Sequence, residues 1–389
     1  MLFDGLLLLL PVAATYGWFA GKKSALSSNN KQGGQLTRDY FAGLNYLLNE
    51  QPDKAVDVFT RLVEVDSDTI ETHLALGNLF RRRGEVGRAI RIHQNLIARP
   101  QLTKNERLQA LLALGQDYLR AGVLDRAERL FDEVAAAEEY ATPALQLLLD
   151  IYQQQKNWDK AIETAHRLTI LNQNPMNNLV AHYHCELAMI AMRESRLNDA
   201  RSELKLAIKE DAKCVRANFL LGDIERTSGQ YKAALHYYQL IRLQDPEYFG
   251  EALNSIVFCY EQLNDESGLL SYLLETLTLY PRISVVLTLA DRLLKSQGED
   301  AATAFITAQL RQRPSLRGLQ YLIDLQLRHA QATAKDNLLI LQDLTTDLLR
   351  NKPVYRCKHC GFKGKTLMWL CPSCKNWTSM KPIHGTEGD

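Results

Sequence analysis

The chain has 389 residues, with 46 Lys and Arg against 45 Asp and Glu. That length holds two or more domains or one long repeat array, and the near-cancelled charge excludes a protein that binds nucleic acid or anionic lipid over its whole surface. Of seven cysteines, Cys185, Cys214 and Cys259 lie singly in helical stretches and read as small core residues, whereas Cys357, Cys360, Cys371 and Cys374 form two close pairs. With no other disulfide-like framework, this usage fits a reducing compartment.

In chain order, the first element is MLFDGLLLLLPVAATYGWFAGKK, in which only Asp4 is charged between Leu2 and Ala20. A run of about 19 such residues matches the length at which a helix crosses the hydrocarbon core. A cleaved signal peptide would carry Lys or Arg ahead of that run. Here Lys22 and Lys23 follow it, beside the interface anchors Tyr16 and Trp18, so residues 1–21 are expected to be a single transmembrane helix with the bulk of the chain in the cytoplasm. Residues 22–35 are polar and without apolar period, as in a flexible linker.

From residue 36 to 350 the chain repeats. Ala55, Ala89, Ala127, Ala161, Ala200 and Ala234 follow one another at intervals of 34, 38, 34, 39 and 34 residues, the tetratricopeptide period with short insertions. Gly43, Gly77, Gly115 and Gly222 stand twelve residues before four of these alanines, and Phe59, Phe131 and Tyr238 stand four residues after three of them. Glycine lets the first helix of a pair approach the second, alanine keeps the return contact thin, and the aromatic ring fills the remaining gap. Pro246, Pro281 and Pro314 fall where second helices must stop, because proline lacks a backbone donor. Near Leu269 and Ala302 the glycine is missing, yet two amphipathic helices broken at Gly298 remain, and LQYLIDLQLRHA with KDNLLILQDLTTDLLR forms a last pair. The expected fold is all-α, a right-handed solenoid of about eight tetratricopeptide repeats plus a final helical pair, whose concave face suits a peptide or protein.

Within the array, Arg81, Arg82 and Arg83 end a helix, where cations suit its dipole. They could be a solvated helix end or a partner contact. His182, His184 and Cys185 fit packing and the polar edge of one helix better than a metal site. No phosphate-cradling G-x-x-x-x-G-K-[ST], H-E-x-x-H or G-x-S-x-G appears, so an enzyme is not indicated.

Residues 353–389 carry Cys357-x2-Cys360-x10-Cys371-x2-Cys374. Four thiolates at this spacing converge on one tetrahedral ion and leave no open position for water or substrate. Gly361 and Pro372 suit the two tight knuckles, and sulfur donors accept zinc and a single iron alike. So short a segment cannot sustain a core alone, so metal binding is expected to fold it as a rubredoxin-like or zinc-ribbon module. Between Lys352 and Lys381 lie seven Lys or Arg, Lys363 and Lys365 among them, and no acidic residue. Docking on an acidic protein face, nucleic-acid binding and plain solvation all fit such a surface. Tyr355, Phe362, Trp369 and Trp377 are expected to shield the sulfurs or to hold the module against the last helices.

Anchor, linker, repeats and four-cysteine module together resemble the lipopolysaccharide assembly protein B (LapB, formerly YciM) family of Gram-negative inner membranes. LLPVAATYGWFAGKKSA, ALGNLFRRRGEVGRAIRIHQ and YRCKHCGF with WLCPSCKNW and KPIHG carry the likeness. It implies a single-pass inner-membrane adaptor facing the cytoplasm that promotes proteolysis of the deacetylase LpxC by the membrane protease FtsH and contacts other lipopolysaccharide assembly proteins. It also implies iron or zinc on Cys357, Cys360, Cys371 and Cys374, with repeats as the protein-binding surface. Anchoring protease, adaptor and target to one membrane raises their effective concentration, so each contact can be weak. A rubredoxin-type electron carrier and a basic zinc-ribbon nucleic-acid binder are the alternatives, and the oligomeric state is left open.

Overall fold

The computed structural model describes residues 41–43, 45–46, 49, 51–65, 70–386 and 388. The expected membrane helix and linker lie outside the described residues, among which no helix is long and apolar enough to cross a membrane. Helical residues 41–43 and 45–46 precede α1 (Pro52–Val65). Successive pairs follow: α2 (Ile70–Arg82) with α3 (Val86–Ile97), α4 (Lys104–Arg120) with α5 (Leu124–Ala135), and α6 (Ala141–Gln155) with α7 (Trp158–Asn172). Then come α8 (Asn177–Arg193) with α9 (Leu197–Glu210), α10 (Val215–Thr227) with α11 (Tyr231–Gln244), and α12 (Phe249–Gln262) with α13 (Glu266–Leu279). The last are α14 (Ile283–Gln297) with α15 (Glu299–Gln312), and α16 (Leu316–Leu327) with α17 (Ala332–Asn351).

The interlock within each pair follows from residue size. All six ruler alanines are fully buried. A Cβ placed on Gly115 would lie 2.4 Å from the Phe131 ring, and one on Gly222 would lie 2.5 Å from Tyr238, so only glycine admits these rings. In the second pair the group facing the glycine is an imidazole: a Cβ on Gly77 would meet His93 Nε2 at 2.3 Å. The turn between paired helices needs a left-handed residue, supplied by Gly84, Gly122 and Gly229 at φ 84°, 76° and 74°. Lys156, Ser195 and Asn264 fill the same role without glycine, at a cost of roughly 1 kcal/mol each. Helices α11, α13 and α15 end two residues before Pro246, Pro281 and Pro314, respectively.

The helices gather into two compact units, one reaching Lys160 with His166–Asn174, the other made of Ala161–Ala165 and the chain from Pro175 onward. In the first, Phe59, Leu76, Leu79, Phe80 and Ala89 form one core cluster. In the second, Tyr238, Tyr248, Phe249, Ile256 and Leu273 build a core that also takes in Leu367 and Trp369 from the cysteine-bearing segment.

That segment folds as a three-stranded antiparallel sheet of β1 (Tyr355–Cys357), β2 (Lys363–Gly364) and β3 (Met380–Pro382), in the order β2-β1-β3. The aromatic residues do not hold it against the last helices. Trp369 and Trp377 face α8, α10 and the start of α12 instead, because those helices present rings and acidic side chains that match the module's tryptophans and lysines. Helix α17 meets the module at the Arg350 carbonyl, which accepts from Lys365 Nζ at 3.0 Å.

Candidate metal centre and its docking face

Each cysteine pair sits on a tight turn closed by backbone hydrogen bonds. In the first, the Cys357 amide donates to Phe362 O at 2.7 Å and the Gly361 amide donates back to Cys357 O at 3.0 Å, with Gly361 at φ 78°. In the second, the Cys371 amide donates to Asn376 O and the Lys375 amide to Cys371 O, both at 3.0 Å. Lys375, at φ 57°, takes the left-handed place that glycine holds in the first knuckle. The Cys360 amide also points at Cys357 Sγ, at 3.4 Å, and the Asn376 side chain donates to Cys374 Sγ at 3.5 Å.

These turns bring the four sulfurs together, all within 4.8 Å of one another. Cys357 and Cys374 are 3.7 Å apart, Cys360 and Cys371 3.6 Å. Metal–sulfur bonds of about 2.3 Å in a tetrahedron require sulfur–sulfur edges of about 3.8 Å, whereas a disulfide would require about 2 Å. The residues present therefore fit a single tetrathiolate-bound ion, and both zinc and iron accept that donor set. Burial raises the Cys357 thiol, but the Ser379 hydroxyl and the amides of Cys360 and His359 more than offset it and bring it down to about 5. Burial pushes Cys371 up to about 11.

The module is fastened to the second unit by rings and charges. Trp377 stacks on His182 with centroids 4.8 Å apart and planes 18° from parallel, and the Arg216 guanidinium lies 5.6 Å from the same indole. Trp369 packs against Tyr248 at 5.1 Å and Phe219 at 6.0 Å. The buried Tyr248 hydroxyl donates to Met380 O at 2.9 Å, and the Tyr355 hydroxyl donates to Glu251 at 2.5 Å. Lys381 is ion-paired with Asp245, and Lys358 reaches Glu247 at 3.7 Å. The acidic face that suits the basic tail thus belongs, in part, to this same chain.

His182 gives this contact a pH dependence. Its Nε2 lies 2.5 Å from Thr378 Oγ1, and burial first, then the charge of Arg216, lowers its pKa from 6.5 to about 3. The docked state therefore holds the imidazole neutral while the undocked state binds a proton below about pH 6.5. Stability from this group is full above that pH and declines as pH falls toward about 3. At pH 5 the docked module is expected to be weaker by about 2 kcal/mol than at pH 7.5. Hydrogen exchange of α8 at the two pH values measures this. His182→Phe, which keeps the stack, removes the imidazole share of this difference. An unchanged difference in His182→Phe refutes the assignment.

The remaining expected site residues are dispersed. Arg81 is engaged internally, donating to Asp117, Gln116 and Asn78 at 2.7–2.8 Å and to Ala113 O at 3.1 Å, so it is not a solvated helix end. Arg83 pairs with Asp53 at 2.9 Å and Glu85 at 3.1 Å. Arg82 is exposed and forms no such pair among the described residues. Lys363 is exposed on β2 opposite Arg356, and Lys365 caps α17. His184 bonds Glu203 at 2.8 Å rather than joining a metal cluster, and Cys185 meets Cys214 at 3.9 Å in the core. Sequence reasoning missed the buried pair His93 Nδ1 and Asp117 Oδ2, 2.5 Å apart, although His93 stands four residues after Ala89, where three of the other repeats carry a ring.

Paired helices with a glycine–alanine interlock and a terminal four-sulfur knuckle define a tetratricopeptide-repeat protein with a metal-binding module. Models described as tetratricopeptide repeat match residues 72–106, 112–175 and 185–248, and one described as rubredoxin metal binding domain matches 355–382. The chain is 41% identical to lipopolysaccharide assembly protein B of Escherichia coli (strain K12) over 384 residues, 98% of this chain and 99% of that protein. It is 37% identical over 394 residues to the protein of that name from Haemophilus influenzae, covering 98% of each. The chain belongs to the lipopolysaccharide assembly protein B family. Among solved structures, a tetratricopeptide repeat protein from Parabacteroides merdae covers 80% of this chain and 98% of its own at 11% identity and a TM-score of 0.29.

Proposed function

We propose that this chain is an adaptor in lipopolysaccharide assembly, anchored in the bacterial inner membrane by residues 1–21, that brings the deacetylase LpxC to the protease FtsH for degradation. The observation that carries this reading is the end-to-end relation to proteins named lipopolysaccharide assembly protein B. It is supported by the apolar first segment, by repeats of a kind that serve protein recognition, and by a four-sulfur cluster whose chemistry is closed to substrate. The adaptor needs no reaction of its own, since co-localisation on one membrane raises encounter of enzyme and protease.

The test is a chromosomal copy lacking residues 1–21, expressed at the native level. The expected result is a chain recovered in the soluble fraction and an LpxC half-life extended several-fold in pulse–chase. Normal LpxC turnover with a soluble chain would remove the tethering step from this reading.

A further inference from the structure

The first unit holds an open cavity of about 620 Å³ along three successive first helices, α2, α4 and α6. Its walls are repeat-equivalent positions: Arg82, Arg120 and Gln154 each stand five residues after Gly77, Gly115 and Leu149, which share one place in the repeat, and Gln116 and Asp150 each stand one residue after that place. The buried network beneath fixes one wall. Arg81, held by the fully buried Asp117, donates to the Gln116 side-chain oxygen, which leaves the Gln116 amide NH2 as the group free to donate. Arg82 and Arg120 are exposed and have no ion pair or hydrogen bond among the described residues, and Asp150 likewise has none.

We propose that this groove binds an extended acidic segment of a partner protein, with one carboxylate on Arg82, a second on Arg120, and a backbone N–H of the segment on Asp150. The charge pattern selects the occupant. Two guanidinium groups call for anions, but the Asp150 carboxylate requires a donor between or beside them. A peptide offers acids and N–H groups together, whereas a nucleic-acid backbone or a lipid phosphate would set another anion against Asp150. Neighbouring first helices stand about 8–10 Å apart. An extended chain rises about 3.3 Å per residue with same-face side chains every second position, so the two acids are separated by two or four residues. Peptide binding here does not depend on the adaptor reading. Only the identity of the partner does.

The experiment uses the full chain in detergent micelles as bait for a displayed library of random octapeptides. A selected peptide is then titrated by fluorescence anisotropy against the unmodified chain and an Arg82→Glu/Arg120→Glu variant, with metal content and thermal unfolding as folding checks. The expected result is enrichment of paired Asp or Glu at that spacing. Affinity should fall roughly tenfold or more in the variant, or on replacing both acids by their amides, with the loss shrinking at high salt. A variant with Arg120→Gln alone, which removes charge without reversing it, should fall between the two. Selection without acidic enrichment overturns the proposal, as does unchanged affinity in a folded variant. So does displacement of the peptide by a single-stranded oligonucleotide or by phosphatidylglycerol vesicles at matched charge concentration. If the charge-reversed chain loses the peptide but supports normal LpxC turnover, the groove stands and its link to the adaptor falls. If the anchor-less chain supports normal turnover, the adaptor reading falls and the groove is untouched.

Discussion

A Cys371→Ser chain is expected to purify without tightly held metal and with residues 353–386 unfolded, while its helices keep their far-ultraviolet circular dichroism. Cys371 is the most deeply buried of the four ligands, at 0% exposure, and a serine hydroxyl does not supply a thiolate. The module's own buried cluster is Tyr355, Cys357, Cys371 and Met380. So small a core cannot order some thirty residues by itself, and metal binding at a structural thiolate site of this kind is coupled to folding, so the ion decides whether the module folds. Elemental analysis gives the metal content, and a red shift in emission from Trp369 and Trp377 reports the unfolding. Wild-type emission from a metal-free Cys371→Ser chain would disprove the staple. The same analysis on the unmodified chain separates the alternatives: zinc in colourless protein removes electron transfer, and iron with reversible thiolate absorbance sustains it.

The joint change Trp369→Ala with Trp377→Ala is expected to do the opposite, retaining the metal but releasing the module from α8, α10 and α12. Fully buried aromatics cost about 3–5 kcal/mol on truncation to Ala. These two are half-buried, so together they should weaken docking by about 3–6 kcal/mol. The remaining fasteners, the Tyr248 and Tyr355 hydroxyls and the Lys381–Asp245 pair, are worth about 1 kcal/mol each in net terms. Faster hydrogen exchange in α8 and α12, together with protease cleavage between residues 351 and 355, would register the release. Exchange left at the unmodified rate would show that these rings do not hold the contact, and loss of metal would show that they belong to the module's own core.

The helical interlock was legible because it is local. Glycine, alanine and ring recur at fixed offsets within one helical pair, and the buried alanines at Ala55, Ala127 and Ala234 sit where that spacing puts them. The sulfur cluster was legible for the same reason, its ligands being seventeen residues apart at most. The docking face was not. His182 and Thr378 are separated by 196 residues and Tyr248 and Met380 by 132, and no periodicity links positions so distant. AHYHCE reads as packing with a polar edge, which fits the buried Cys185 and the His184–Glu203 bond, but the indole that covers His182 is brought there only by the tertiary structure. Arg81, Arg82 and Arg83 show a related limit: adjacent identical residues point in different directions around a helix. The first supports Asp117, the second borders the open groove, and the third closes on Asp53 and Glu85.

The long reach of the Trp369 and Trp377 contacts has a consequence for synthesis. At about 5–20 residues per second, Tyr355 leaves the ribosome roughly 5–20 s after Gln262. Throughout that interval α8, α10 and α12 exist with Phe219, Tyr248 and His182 uncovered, and their cover can form only after an ion has been captured. Metal supply is thus expected to act as a late checkpoint on maturation. In metal-starved cells the nascent chain is expected to carry a sticky, chaperone-attracting face, which pulse-labelled chains co-purified with trigger-factor-type holdases would reveal.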